Sequence, residues 1–240
     1  MPFQVSPGVN VTEIDLTTII PAVSTSIGAF AGRFQWGPVE EATLVDSQDT
    51  LVTTFGKPNN DNAKDFFTAA NFLDYTNALQ LVRAGNTDLT NSSTGVGTLI
   101  KNNEHWEEVD TSGTAPALFY AKYPGTFGDE IRVEVCDSAD AFAESWTGNT
   151  NFTGAPGTSK DASDAGASND ELHVLVLDDS RIGLITGTPS QVLEVYPFLS
   201  KATDAKDGLG NANHWRDVIN QQSAYIRAGY GDLATNNDVG

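Results

Sequence analysis

The sequence predicts an α+β protein with a small α/β layer near its N-terminus and a larger mixed region after that layer. The composition favours strands and loops over a helical bundle, because hydrophobic residues make up only 39% of the 240 residues and 22 residues are glycine. Short apolar runs of strand length recur along the chain. Between the first two of these runs, two segments carry helical periodicity and the residues that start and stop helices.

The first 23 residues predict an extended N-terminal arm. Three prolines in this segment exclude a continuous helix, and β-forming residues lie between them. An extended segment with no strand partner of its own exposes backbone hydrogen-bonding groups, so we expect the arm to add to a sheet edge of another chain. A frayed terminus is the alternative. The residues expected to form this contact between subunits are Val9, Val11 and Ile14.

A buried strand and a capped helix are predicted next. Residues 27–34 form an apolar run rich in glycine and alanine, which is typical of a buried strand with a close neighbour. Ser47 is a suitable N-cap for a short helix that runs through Phe55. Gly56, followed by Pro58, supplies the signal that ends this helix.

A second helix and a second strand complete the α/β layer at residues 24–84. The helix is expected to begin at residues 60–62 and to run to about Thr76, with apolar side chains at helical spacing on the face that packs against a sheet. The strand is predicted at residues 79–84. The predicted core residues of the layer are Ile27, Phe30, Phe34, Phe66, Phe67 and Leu73.

The rest of the chain predicts a polar linker at residues 85–97, a mixed α+β region at 98–227 and a short tail at 228–240. Within the mixed region, apolar residues alternate with polar ones or run continuously at strand length. We expect strands at 117–123, 131–137 and 172–177, a strand near 182–186 that pairs with the third of these, and a helix from about residue 213.

Residues 145–170 predict a long mobile surface loop. The segment consists almost entirely of small and polar residues. Such a segment has too little apolar surface to offset the entropy lost on ordering it, which is about 1 to 2 kcal/mol per residue.

The charge of the chain argues against nucleic acid and membranes as direct partners. Thirteen basic and 32 acidic residues give a net charge of −19, whereas phosphate groups and anionic lipids are bound by clustered lysine and arginine. No apolar run approaches the roughly 18 residues of a membrane-spanning helix, and a single cysteine excludes an internal disulfide. The acidic residues are dispersed, which is typical of a solvated face or of a charged outer surface that keeps crowded subunits soluble.

The sequence predicts no catalytic, cofactor-binding or metal-binding residue. His105, His173 and His214 are isolated from one another, and no nucleophile motif accompanies them. His173 lies in a predicted strand and is the histidine that merits inspection. Cys136 is expected to be a small buried hydrophobe. Residues 204–208 resemble a calcium loop at first sight, but lysine and glycine stand where the third and fifth ligands are needed.

Several short motifs occur together in the first third of the chain and continue more sparsely to about residue 227. They are SPGVNVTE at 6–13, STSIGAFAGRFQWGP at 24–38, FGKP at 55–58, NFLDY at 71–75, AKYPG at 121–125 with Gly128 and Asp129, and DVIN at 217–220. As a set, these motifs resemble the N-terminal part of the contractile tail sheath proteins of T4-type myovirus bacteriophages.

The resemblance implies a structural protein without enzymatic activity. Sheath subunits of this kind stack as hexameric rings around a tail tube and contract to drive the tube through a host envelope. The expected partners are neighbouring sheath subunits, the tail tube protein, and baseplate and tail terminator proteins, and no cofactor is expected. The protein would be part of the virion and would be assembled in the host cytoplasm.

The resemblance also implies roles for the predicted regions. Residues 24–84 would be the N-terminal part of a central domain near the tube, and residues 98–227 an outward insertion domain. The arm would pair with the sheets of neighbouring subunits. Proteins of this family are longer, so the C-terminal half that completes the central domain is expected to be missing from the 240 residues.

Other accounts stay open at this point. The chain is expected to be a fragment, an incomplete chain or a naturally short variant. The alternative function is a self-associating surface adhesin or glycan-binding module, which would use the outer loops. A polysaccharide hydrolase with a pair of carboxylates is a more distant third.

Overall fold

The computed structural model describes most of the chain. The described residues are 27–85, 89–111, 115–144, 146–179, 185–231 and 233. The arm residues Val9, Val11 and Ile14 lie outside this part, so their contact between subunits stays a prediction. Within the described part, no helix has both the length and the apolar character needed to cross a bilayer.

Helices and strands alternate along the described chain, which confirms the predicted α+β class. The strands are β1 (Gly28–Gly32), β2 (Ala42–Val45), β3 (Leu79–Arg83), β4 (Phe119–Ala121), β5 (Ile131–Cys136), β6 (Glu171–Asp178), β7 (Gln191–Ser200) and β8 (Ile226–Ala228). The helices are α1 (Gln48–Phe55), α2 (Ala63–Leu73), α3 (Asn103–Thr111), α4 (Ala139–Glu144), α5 (Lys160–Asp164) and α6 (Trp215–Gln222), with short 3-10 helices at Thr126–Glu130 and Thr147–Asn151.

The first region, residues 27–84, contains a three-stranded sheet in the order β1-β3-β2. β1 runs parallel to β3 and β2 runs antiparallel to it, so that Phe30, Leu81 and Thr43 lie side by side. α1 and α2 pack on one face of this sheet. β2 is absent from the sequence prediction because its four residues are too few for a clear pattern. The buried core contains Phe34, Val45, Leu51, Phe55, Phe66, Ala69, Ala70, Leu79 and Leu81.

The ends of α1 confirm the predicted start and stop signals. The Thr50 N–H donates to the Ser47 hydroxyl at 3.2 Å, which satisfies one backbone donor of the first turn. Gly56 follows the helix with φ of 80°, and its N–H donates to the Val52 carbonyl at 2.9 Å. Local side-chain and backbone chemistry therefore sets both ends of this helix.

Two of the predicted core residues are exposed. Ile27 is 66% exposed and Phe67 is 54% exposed, so their assignment to the core is wrong. α2 contacts the sheet through Phe66 and Ala69, and a helical step of about 100° turns Phe67 away from that face. Ile27 precedes β1, where alternation places it opposite the helix-covered face. The other predicted core residues, Phe30, Phe34, Phe66 and Leu73, lie in the buried cluster or pack against it.

The second region, residues 89–231, is built around an antiparallel sheet in the order β5-β6-β7. β6 lies in the middle of this sheet, and seven of its eight residues are buried. On one face, Val174 and Val176 pack in a cluster with residues of α6, β4 and β8. On the other face, Leu175 and Leu177 pack with Trp146. Both faces of this sheet are therefore covered.

The predicted pairing of β6 with a strand near residues 182–186 is wrong. β6 pairs with β5 and β7 instead. The Asp178 carboxylate accepts hydrogen bonds from the backbone N–H groups of Ile185 and Thr186, at 3.0 and 2.8 Å, and these two residues form a turn. Residues 181–184 lie outside the described residues.

The predicted mobile loop is a packed segment where the structure describes it, at residues 146–170. The segment contains a 3-10 helix and α5. Trp146 is 2% exposed, and the Phe152 ring stacks on His173 with ring centroids 4.3 Å apart. The buried Asp170 carboxylate accepts a hydrogen bond from the residue that caps α5, at 2.8 Å. Two aromatic side chains and a hydrogen-bonded carboxylate thus supply the attachment that the small and polar residues lack.

The stretch predicted to be a polar linker is attached to the second region over its described part. Asn91 is 1% exposed, and its Nδ2 group donates to the carbonyls of Ile100 and Ala121 at 3.2 and 2.8 Å. The Ala121 N–H donates to the Ser92 carbonyl at 2.7 Å. These bonds hold residues 91 and 92 beside β4.

Candidate assembly surface

One face of the first sheet is not covered by any of the residues that the structure describes. Side chains along a strand alternate between the two faces, so the register identifies those opposite the helices. On this open face, Leu44 is 55% exposed, and Ala29 and Ala31 are exposed as well. Gln80 and Val82 of β3 lie between them and are half-buried. The first region therefore presents a largely apolar sheet surface.

Among the described residues, no strand pairs with the outer edge of β1. Natural sheets protect exposed edges with charged residues, proline or bulges, because an open edge pairs with other chains. β1 has the sequence GAFAG, which contains no charged residue and no proline. The edge strands of the second sheet differ, since β5 carries Arg132 and Glu134 while β7 carries Glu194 and Pro197. The β1 edge is therefore suited to accept a further strand.

Further exposed apolar side chains of the first region lie next to β1, on α2 and just after α2. The Phe72 ring lies directly over Gly28, in the space that a Cβ atom would occupy. Phe67 and Ile27 are more than half exposed, and Tyr75 is 90% exposed. Of nine large hydrophobic side chains that are exposed in the described chain, five lie in the first region. Exposed apolar surface is therefore concentrated where the sheet is incomplete.

The first region is also the less charged part of the chain. Residues 27–84 contain seven acidic and four basic residues, a net charge of −3. Residues 85–240 contain 23 acidic and nine basic residues, a net charge of −14. Two copies that met through their second regions would repel each other strongly. Contact between copies is therefore electrostatically easier through the first region.

Sequence reasoning did not assign Leu44, Phe72 or Tyr75 to this surface. The four residues of β2 give only a weak strand signal, which is too short to predict the strand. It could not have identified the open face, because the covered face is decided by helices that pack from elsewhere in the chain. Phe72 follows the helical pattern of α2 and looks like a core residue by its type alone.

A groove of about 290 Å³ lies between β4 and β5. Its lining includes Phe119 together with hydroxyl and carboxylate groups. The Thr94 hydroxyl oxygen accepts two backbone N–H groups at 3.1 Å each. The Ser92 hydroxyl donates to the Asp129 carboxylate. These polar groups bind the protein itself and do not converge on a ligand.

His173 has a structural position. Its Nδ1 accepts the Phe198 N–H at 3.0 Å, so Nε2 carries the proton and donates to the Gly154 carbonyl at 2.9 Å. The Phe152 ring stacks on the imidazole. Burial lowers the pKa of His173, which keeps the ring neutral. Both nitrogens are engaged with the backbone, so the side chain holds the segment 146–170 on the sheet.

The remaining candidates for chemistry also lie in structural positions. Cys136 is buried, and burial raises the pKa of its thiol. His105 accepts the Lys101 N–H through Nδ1 at 3.3 Å, and His214 lies at the start of α6. Within the described ranges, no group of three or more His, Cys, Asp or Glu side chains could hold a metal ion.

The first region matches a known family. Residues 25–84 match the family model described as the tail sheath protein Gp18 domain III N-terminal region. This segment contains the open sheet face, the β1 edge and the exposed aromatic residues. The structure of a sheath tail protein of Listeria innocua aligns with 86% of this chain and 31% of its own chain, with a TM-score of 0.42 and 10% sequence identity.

Tail sheath proteins of three bacteriophages are similar to the chain, which confirms the predicted resemblance. The protein of Salmonella phage ViI is 34% identical over 194 residues, which is 80% of this chain and 28% of that protein. The protein of Vibrio phage KVP40 is 47% identical over 78 residues, 32% of this chain and 12% of that protein. The protein of Enterobacteria phage T4 is 38% identical over 129 residues, 54% of this chain and 18% of that protein. The matched part of the chain thus covers 28% of the length of the phage ViI protein and a smaller share of the other two proteins.

Proposed function

The chain is a relative of the tail sheath proteins of T4 and related bacteriophages, and from this premise we propose that it is a structural subunit of a contractile tail sheath. The subunit polymerises with copies of itself as stacked hexameric rings around a tail tube. Contraction of the rings drives the tube through the host envelope. The role is mechanical rather than enzymatic, and the protein is part of the virion after assembly in the host cytoplasm.

One observation supports this function above the others. The segment that matches the sheath family is also the segment in which apolar surface stays exposed, with an open sheet face and an unprotected β1 edge. Contiguous exposed apolar surface marks a site of protein contact. An accepting edge and a separate donor segment form a head-to-tail contact, which builds rings or helical polymers rather than closed dimers.

The arm is the proposed donor segment. Val9, Val11 and Ile14 have strand propensity, and their pairing with a neighbouring subunit would satisfy the backbone groups of both chains. Residues 24–84 form part of the central domain that faces the tail tube protein. Residues 98–227 form an outward domain whose acidic surface keeps assembled subunits soluble. Baseplate and tail terminator proteins bind the two ends of the polymer.

Electron microscopy and sedimentation of the purified protein test this function. We expect rings or tubes from the full-length protein, and a folded protein that no longer polymerises after deletion of residues 1–23. Val11→Pro should reproduce part of this defect, since proline has no N–H to donate, whereas Val11→Thr is the matched control that keeps the donor and the β-branch.

Two outcomes contradict the proposal in different ways. A protein that stays monomeric at every concentration and binds glycans would favour the adhesin. Normal tubes from the deletion variant would leave the sheath function intact but would show that the arm is not the donor.

A further inference from the structure

Arg83, at the end of β3, is a buried cation that binds only backbone carbonyls among its described partners. The side chain is 3% exposed. Its Nε donates to the Phe34 carbonyl at 3.0 Å, and Nη1 donates to the Gly37 carbonyl at 2.9 Å. Nη2 donates to the carbonyls of Gln35 and Pro124, at 3.4 and 2.9 Å. One guanidinium therefore binds four carbonyls.

These four carbonyls belong to both regions of the molecule. Three of them lie in the loop that follows β1, in the first region. The fourth belongs to Pro124, in the turn that precedes the 3-10 helix Thr126–Glu130 of the second region. Both loops are among the motifs that the sequence singles out, FQWGP at 34–38 and AKYPG at 121–125. Arg83 thus joins two motifs whose role is otherwise unexplained.

The turn at Pro124 is shaped to accept the guanidinium. Gly125 has φ of 120°, a conformation that side chains rarely adopt. A Cβ atom at this position would lie 3.0 Å from Nη2 of Arg83 and 3.5 Å from the Gln35 carbonyl oxygen. A larger residue would therefore push the turn away from Arg83.

Aromatic packing surrounds the same contact. Trp36 is 3% exposed, and its ring centroid lies 5.3 Å from that of Tyr123 and 4.6 Å from that of Phe127. Nearby, the Val39 N–H donates to the Lys101 carbonyl at 2.9 Å. Aromatic packing and a backbone hydrogen bond therefore add to the contact between the two regions.

We propose that Arg83 is a positioning residue that couples the first and second regions into one rigid body. The guanidinium, the loop 34–37 and Pro124 are called the Arg83 joint below. Separation of the regions would remove the Pro124 acceptor from the buried guanidinium. A buried charged donor that loses its acceptor strongly destabilises the folded protein. Small relative movements of the two regions are disfavoured for the same reason. A force applied to the first sheet is therefore transmitted to the second region.

The planar geometry of the Arg83 guanidinium matters more than its charge. No carboxylate is among the described acceptors of Arg83, and carbonyls carry no net charge. Lysine keeps the positive charge but has a single ammonium group, which cannot reach four carbonyls in a fixed plane. Arg83→Lys should therefore behave like Arg83→Met. The joint does not depend on polymerisation, so it is tested separately from the proposed function.

Scanning calorimetry of the whole chain tests the joint through the cooperativity of unfolding. The unmodified protein should unfold in one transition, with equal calorimetric and van't Hoff enthalpies. Arg83→Met and Arg83→Lys should each split this into two transitions, the first shifted down by about 5 °C or more. Gly125→Ala, which leaves Arg83 in place and moves only the turn, should produce the same split. Arg33→Met is the matched control, because Arg33 lies in the same region and its side chain is 73% exposed.

Three results overturn the joint. Two transitions in the unmodified protein would show that the regions are not coupled. A single transition that is merely shifted in Arg83→Met and Gly125→Ala would make Arg83 an ordinary stabilising residue. An Arg83→Lys protein that unfolds like the unmodified one would show that a positive charge is sufficient to couple the regions without the planar guanidinium.

Discussion

The two three-stranded sheets of this molecule differ in how completely they are buried. The β5-β6-β7 sheet has helices or strands on both faces, and its central strand is almost wholly inaccessible. Within the described residues, the β1-β3-β2 sheet has helices on one face only, and its other face and its β1 edge are open. Residues of the described chain thus cover both faces of the second sheet. The first sheet holds apolar surface that a partner could cover.

This difference identifies the first sheet as the part of the described chain that has apolar surface left for contact with other molecules. Proteins rarely leave unprotected edges and contiguous apolar faces exposed without a use for them. The charged residues of the second region lie mostly on its surface and keep that region in solvent. The family match at residues 25–84 covers the incompletely buried sheet.

The largest expected effect compares one leucine from each sheet. Leu175 is 1% exposed in the second sheet, so Leu175→Ala should lower the free energy of unfolding by about 2 to 5 kcal/mol through lost burial and a cavity. Leu44 is 55% exposed on the open face, so Leu44→Ala should change it by less than about 0.5 kcal/mol. Urea denaturation measures both. Equal losses would mean that the open face is covered in solution.

A smaller effect concerns the pH dependence of the second region. Burial lowers the pKa of His173 below its ordinary value of 6.5, so the unfolded chain binds a proton at a higher pH than the folded chain. The contribution of His173 to stability is complete at pH values above the ordinary pKa of 6.5. It is lost as the pH falls from there towards the lowered pKa of the folded chain. We expect a loss of at most about 2 kcal/mol between about pH 7 and pH 5.

His173→Gln should flatten this part of the profile, measured by urea denaturation at each pH. Cys136 of the adjacent strand lies opposite His173 on the same sheet face, and burial raises the pKa of its thiol, so the thiol stays protonated over this range. An unchanged slope in His173→Gln would assign the pH dependence to other groups.

The smallest effect on stability concerns the exposed aromatic residues. Phe67→Ser combined with Tyr75→Ser should change the free energy of unfolding by less than about 1 kcal/mol, because both side chains are largely exposed. The same variant should weaken self-association in sedimentation velocity. Leu209→Ser is the matched control, since Leu209 is 89% exposed in the second region. Equal self-association in the two variants would remove these aromatic residues from the assembly surface.

Features that depend on neighbouring residues were predictable from the amino-acid sequence. Ser47 and Gly56 end α1 through bonds within one helical turn, so the helix was predictable from their spacing. β5 and β6 were predictable because alternation and a continuous apolar run are local patterns. The motifs that resemble sheath proteins were likewise visible without a structure.

The three-dimensional packing of the chain sets which side chains are covered and which distant groups meet. Phe67 has the residue type of a core position, but the angle at which α2 packs leaves it exposed. Residues 146–170 looked unable to order, yet His173 and Trp146 attach them to the second sheet. Arg83 resembles any arginine at the end of a strand, and its acceptor at Pro124 lies 41 residues away. Burial and long-range hydrogen bonds depend on segments that are far apart in the chain, so no local pattern can encode them.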